Sequence, residues 1–471
     1  MRPLFWVVVF GCASTGGDPV DGLRRPASLV GEATSSTGTD SPTSLWANCQ
    51  VAHDNSLRAW CDVQADPPAR VEVRFWPEDG LDAERVGVAE EGERTVGLYR
   101  MSAERTYLWE AWTPTRPDLR VSGRFTTGAL PQGAVVDAMP TGLSSAETFL
   151  MASPCAGSGT AVVMTPEGEV VWYQPLIPEE VAVKALLGVS STEDGTVLGL
   201  YPGGVVEVDW MGRERFAIVQ GEDFDASVHH DVFKRDGHVY VLFQEYAEFF
   251  GQDFLMDGVY VFDASRNRVA EWHLQDVFVP TAPQNQPGAV DFSHANSVYV
   301  DEAGDLLVSM RHLSAVAKLN GDLAGGAFGE VLWRMSGASN GAFGSDFVFE
   351  DYTGKDEAFA RQHNVHWRDD GRLAMFDNRA NVNEDSRLLV LDVDEGGGTA
   401  DIVETYALDL HCRFQGGAWH TEVGNPVATC APMGRAFEFT AGETDTPVYE
   451  VQVLCGDGVD AYVPRLIPIR L

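Results

Sequence analysis

The sequence predicts an all-β chain in which a small β-sandwich precedes a six-bladed β-propeller. Three observations predict it. Gly is frequent, at 48 of 471 residues, and no long stretch has clean helical periodicity, which favours many short strands joined by turns. Turn signals recur at Glu167-Gly168, Asp194-Gly195, Asp236-Gly237, Ala303-Gly304, Asp370-Gly371 and Gly424-Asn425, marking six degenerate units. Three of these units carry a histidine at the start of a strand-like run, in "HHDVFKRDG", "HANSVYVDEAG" and "QHNVHWRDDG". His230 stands seven residues before its glycine, His294 ten before and His363 eight before. A unit of this kind cannot bury both faces alone, so the array must close on an axis, and the three imidazoles converge there.

The N-terminus, "MRPLFWVVVFGCASTGGDP", has one Arg, a short apolar run and then Gly11-Cys12. That pattern predicts a lipoprotein-type signal over residues 1–12, with Cys12 as the lipidated residue, or else a plain secretory signal. The apolar run is too short to span a bilayer. Membrane association is therefore expected only through a lipid anchor, with the protein periplasmic or held at the outer membrane. Residues 13–44 are rich in Gly, Ser, Thr, Pro and Asp and read as a flexible tether. Residues 45–131 hold short alternating runs such as "ARVEVRFWP" and "RTYLWEAWTP", the pattern of a β-sandwich. With Tyr107, Trp109 and the closing "TTGALP", this stretch resembles a fibronectin type III module. Residues 140–471 form the propeller. The inserts Glu245 to Asp257 and Gly337 to Ala360 are expected as loops near the ends of its channel.

Hydrophobic residues make up 44% of the chain, enough for packed cores. The formal charge of −37 opposes binding to nucleic acid or to an anionic membrane surface. An anionic substrate must then be drawn in by a local basic group. Cys49, Cys61, Cys155, Cys412, Cys430 and Cys455 form no CxxC pair, and an even count behind an export signal predicts disulfides. Spacing suggests Cys49 with Cys61, Cys412 with Cys430, and Cys155 with Cys455 as a clasp across the ends of the propeller. No cofactor is expected, and the oligomeric state is left open.

The histidine units carry the chemistry. His294 and Asn296 are two apart and would share a strand face, and Arg311 follows the next strand in "LLVSMRHL". Arg offers a planar fork that matches two oxygens of a sulfate or phosphate. Imidazole serves as nucleophile or acid/base near neutral pH. A lone strand-start histidine is usually structural, but three at equivalent repeat positions favour a site. Alternation turns His229 and His312 away from their neighbours and makes them structural. His366 faces away from His363. Two rival readings are a zinc hydrolase using His230, His294 and His363, and a surface-anchored binding propeller without catalysis.

The ordered motifs "HHD", "SHANSV" with "LLVSMRHL" and "GEVLWRMSG", then "QHNVHW" with "MFDN", resemble the bacterial arylsulfate sulfotransferases. The resemblance runs from about Gly142 to the C-terminus. It implies an exported six-bladed propeller that moves a sulfuryl group from an aryl sulfate donor to a phenolic acceptor, without a nucleotide donor. The family's transient sulfohistidine falls on His363. Its supporting residues fall on His294, Asn296, Arg311 and the "HHD" histidine, which is His230 or else His229. Phe292 stands where the family carries Trp in "D-W-S-H". The "GGAWHTEVGNPVATC" segment also departs from the family at Cys430.

Overall fold

The computed structural model describes residues 41–80, 84–153, 158–282, 288–337, 343–349, 358–380, 384–443, 446–455, 459–460 and 462–471. The signal, Cys12 and Cys155 lie outside them, as does most of the tether and of the insert Gly337 to Ala360. The chain is all-β, built of antiparallel sheets, to one of which Val290–Asp291 adds a short parallel pairing. Among the described residues no helix is long and apolar enough to cross a membrane.

Two sheets come first. One orders Ser44–Val51, Ala59–Asp66 and Thr95–Leu98; the other orders Arg85–Ala89, Val71–Pro77, Thr106–Thr113 and Arg116–Thr126. Alternation along Thr106–Thr113 sends Tyr107, Trp109, Ala111 and Thr113 inward. Tyr107, Trp109 and Ala111 pack with Val73, Phe75 and Val96 into one core. Cys49 pairs directly across from Cys61, and the two form a disulfide. The Tyr107 hydroxyl accepts the backbone N–H of Ser102 at 2.8 Å, which closes the corner before its strand. This part is tied to the following sheet by Asn55, whose Nδ2 donates to the Tyr173 carbonyl at 2.7 Å, and by Met101 N–H to Val171 O at 3.0 Å.

Six sheets follow. Each is a meander of neighbouring strands, so most pairing is local. The first holds Thr148–Ala152, Thr160–Met164 and Val170–Pro175, and Ile467–Ile469 from the C-terminus adds to its Thr148–Ala152 edge. The second runs from Gly188–Ser191 to Glu214–Val219, and the third from Ser227–Arg235 to Arg268–His273. The fourth runs from Ala295–Val300 to Val331–Ser336, and the fifth from His363–Trp367 to Thr399–Ala407. The sixth begins at Gly417–His420 and ends on Tyr449–Cys455, against which Asp137–Gly142 pairs. Middle strands such as Leu306–Met310 and Leu373–Asp377 are buried at every position, which explains why they are apolar apart from Ser309 and Asp377. From the second sheet on, the first strand of each sheet lies against the first strand of the next; that of the sixth lies against Ile467–Ile469.

The segment Glu245 to Asp257 is not a loop. The strands His238–Phe249 and Gln252–Phe262 pair all the way to Phe249 and Gln252, so it is the far end of a β-hairpin. Its tip is turned by Phe250 and Gly251, both at positive φ. Cys412 and Cys430 form a disulfide. Cys455 is also disulfide-bonded; the expected partner, Cys155, lies outside the described residues. These bridges fit an exported protein, since reducing compartments keep thiols free.

Candidate active site

The histidines sit where three first strands lose their regular register. It slips between Val228 and Val232, between Ala295 and Ser297, and between His363 and His366. Each slip is a bulge that bends the strand and re-aims its side chains. His230, His294 and Asn364 take positive φ of 57°, 51° and 52°, a region that non-glycine residues seldom enter. Simple alternation therefore fails here, and this corrects three expectations. His294 and Asn296 do not share a face: the His294 ring meets His230 edge-on at 4.7 Å, whereas Asn296 is buried and its Nδ2 donates to the Gln362 carbonyl at 2.7 Å. His229 is not turned away, because its Nδ1 lies 2.6 Å from Nδ1 of His230. His312 stacks on His294 with ring centroids 4.6 Å apart.

His363 is 4% exposed. Its Nδ1 lies 2.6 Å from Oδ1 of Asn378. Both N–H groups of that amide are used, by the carbonyls of Cys412 and Gln415 at 2.7 Å each. Oδ1 must then face the imidazole, so His363 carries its proton on Nδ1 and keeps a lone pair on Nε2. Burial pulls its pKa down to about 3; the bond to Asn378 resists, and Arg311, His294 and Arg465 add to the fall. The ring is neutral at physiological pH.

Asp291 holds two rings. Its Oδ2 lies 2.5 Å from His294 Nδ1, and its backbone carbonyl accepts the Nδ1–H of His312 at 2.8 Å. These three residues also offer ligand atoms within 4.8 Å of one another, a possible metal site. Both Nδ1 atoms are already engaged by Asp291, so an ion would have to displace those bonds or use the Nε2 atoms. On the other flank, His229 Nε2 lies 3.0 Å from Asp257.

Three guanidinium groups bear on the cluster. Arg311 donates from Nη2 to the carbonyl of Arg413 at 3.0 Å, and its Nε has no partner among the described residues. Burial, with Arg361 nearby, lowers Arg311 to about 10, so it stays charged. Arg465, from the C-terminal run, pairs with buried Asp231 beside His230. His230 is held well below its ordinary pKa by burial and by His229, His294, His363 and Arg465.

A cavity of about 360 Å³ opens beside His229 and His230, walled by Leu186, Leu187, Tyr462 and Pro464, with Lys184 on its lining. His366 is elsewhere. It lines a separate cavity of about 540 Å³ with Trp419 and His420.

His230, His294, His363 and Arg311 are thus gathered, with Asn296 bonded to the residue preceding His363. Sequence reasoning passed over Asn378, Asp291, Asp257 and Arg465. Weak signals existed: Asn378 ends the "MFDN" motif, Asp291 stands three before His294, and Arg465 is one of two cations in an apolar closing run.

An all-β scaffold with a buried neutral imidazole among guanidinium groups defines a site suited to nucleophilic group transfer. The arylsulfotransferase (ASST) family model matches residues 135–411, and the chain belongs to that family. It is a transferase on that ground. Among curated proteins none matches. Of solved structures, a protein of unknown function from Bacteroides caccae is 13% identical, covering 69% of this chain and 100% of its own, with a TM-score of 0.40. Virginiamycin B lyase from Staphylococcus aureus is 9% identical over 66% of this chain and 87% of its own, with a TM-score of 0.35.

Proposed function

We propose that the protein transfers a sulfuryl group from an aryl sulfate to a phenol through a sulfohistidine on His363, without a nucleotide sulfate donor. The observation that carries this reading is the pinned tautomer of His363: Asn378 holds Nδ1–H, and a neutral Nε2 lone pair is left for attack. Nε2 forms a bond to sulfur as the bond from sulfur to the aryl oxygen breaks. Arg311 holds the sulfuryl oxygens, which carry negative charge throughout, and His230 stands beside them as a neutral donor, while Asn296 fixes the residue before His363 through its bond to the Gln362 carbonyl. Preorganised donors of this kind are worth ~10²–10³ each in rate. The incoming phenol then takes the group back from Nε2. The cavity beside His230 is the proposed seat of the arene, with its leucine and tyrosine walls.

The wider organisation is part of the same proposal. The six sheets are the blades of one propeller over residues 140–471, with Ile467–Ile469 completing the first blade. Residues 45–131 are a fibronectin III-like domain, a reading supported by the three-plus-four strand order and the Tyr107 corner. Residues 1–12 are a lipoprotein-type signal and 13–44 a tether, which place the enzyme outside the cytoplasm on a lipid anchor.

Brief exposure to 4-nitrophenyl sulfate without acceptor should add one sulfuryl group to the peptide carrying His363. Phenol should discharge it. His363→Asn should abolish labelling and turnover, whereas His366→Asn should largely spare both. Release that needs no phenol, no adduct, and stoichiometric zinc lost on changing the histidines would replace this reading with a metal hydrolase.

A further inference from the structure

Resting on that reading, we propose that Asp291 is a positioning residue that makes His294, rather than His230, the acid and base of both half-reactions. Asp291 lies on a short strand, Val290–Asp291, that runs parallel to Gln252–Phe262 outside the sheet order, with Asp291 opposite Leu255. It is thus fixed by the hairpin of one sheet while serving the first strand of the next. From there it holds two rings: its carboxylate meets His294 Nδ1 at 2.5 Å, and its carbonyl holds His312, which stacks on His294 at 28°. The His294 ring is clamped in place. Its proton on Nδ1 is committed to Asp291, and Nε2 is the working atom.

The two candidate imidazoles differ in surroundings. The His294 side chain is 25% exposed and so can exchange a proton with solvent. A carboxylate sits on its far nitrogen, where it stabilises the imidazolium, the arrangement that makes a histidine both acid and base. Among the described residues no carboxylate is bonded to the His230 ring; its ring neighbours are His229 and His294, and Arg465 lies near. Burial and the Arg465 charge disfavour a second proton on it. Burial pushes the Asp291 carboxyl up, yet the bond to His294 and the nearby imidazoles outweigh that and keep it below the usual range. It remains a carboxylate and can play this part.

The proton balance closes over the cycle. The step starts from His294 with a proton on each ring nitrogen. Its Nε2 proton passes to the aryl oxygen as that oxygen leaves sulfur and His363 Nε2 bonds to it. The incoming phenol returns a proton to His294 Nε2 as its oxygen takes the group and the nitrogen–sulfur bond breaks. His363 keeps its Nδ1 proton on Asn378 throughout.

A leaving-group series tests this. Phenyl sulfate expels a phenol of pKa about 10 and needs a proton, whereas 4-nitrophenyl sulfate expels a far more acidic phenol and needs little help. Asp291→Asn should lower kcat/KM for phenyl sulfate by ~10² and for 4-nitrophenyl sulfate by about threefold or less. Asp291→Glu should recover part of the loss. His294→Gln should show the same selectivity, and it carries the test if Asp291→Asn does not fold. An equal loss on both donors, or none on either, would overturn the assignment while leaving sulfotransfer intact. A wild-type protein that turns over no aryl sulfate and never labels His363 would instead overturn the proposed function.

Discussion

Asn378 presents its oxygen, not its nitrogen, to His363 Nδ1 across 2.6 Å, because Cys412 and Gln415 occupy both of its N–H groups. The amide cannot flip without breaking two bonds and setting a donor against a donor. One buried carboxamide thereby decides which nitrogen of the imidazole is free. Replacing it by alanine leaves the tautomer undecided and the ring unanchored. Asn378→Ala should lower turnover by ~10², in the range seen when the partner that orients a functional histidine is lost. Asn378→Asp keeps an acceptor toward His363 but sets its other oxygen against the Cys412 and Gln415 carbonyls, so it should not restore the rate. Steady-state kinetics on variants with unchanged melting temperature check both.

The segment Cys412 to Gln415 serves the site twice. Its carbonyls at Cys412 and Gln415 fix Asn378, and the carbonyl of Arg413 accepts Arg311. The Cys412–Cys430 disulfide anchors that segment to the sixth sheet. Changing both cysteines to alanine should cost ~3 kcal/mol in the chain-entropy account of such a loop, and should also lower kcat by about tenfold as the carbonyls loosen. The same change at Cys49 and Cys61 should cost stability alone. Denaturant melts paired with kinetics separate the two.

Arg311→Lys keeps the charge and loses the planar fork. Turnover should fall by ~10² with the fold intact. Unchanged kinetics would remove Arg311 from the site.

The buried histidines predict a pH effect with a definite sign. His363 has a folded pKa of about 3, set first by burial, against an ordinary value of 6.5. Between those values the unfolded chain binds a proton that the folded chain refuses, so stability rises with pH. The contribution is fully present above about pH 6.5 and is lost as pH falls toward 3. Melting temperature should therefore drop on acidification through this window, and His363→Asn should flatten the drop. A variant that loses stability with acid as steeply as the parent would refute this.

Lipidation on Cys12 predicts that Cys12→Ser releases the protein to the soluble fraction or leaves its precursor uncleaved. Fractionation of cells producing both forms decides it, and normal membrane retention of the variant would count against the anchor.

Much of the architecture is legible because it is local. Alternation and turn pairs act between near neighbours in the chain, and the sheets are meanders of sequence neighbours. Cys49–Cys61 and Cys412–Cys430 were readable for the same reason, being 12 and 18 residues apart. The segment Glu245 to Asp257 was misread as a loop because Glu245, Glu248, Gln252, Asp253 and Asp257 interrupt its apolar pattern, although Phe254 and Met256 are buried in the core.

By itself the sequence determined that the chain is all-β, that His230, His294 and His363 lie in or just before the first strands of successive sheets, and that Arg311 lies one strand from His294. Only the tertiary structure decided what those groups can do. The bulges that turn His230 and His294 are departures from the strand period, so periodicity could not place His229 or His312. Asn378 acts through carbonyls 34 and 37 residues away, and Arg465 meets Asp231 across 234 residues. Such partners are chosen when separate sheets pack and every buried donor must find an acceptor. That requirement is met in space, between strands that carry no mark of one another in the chain.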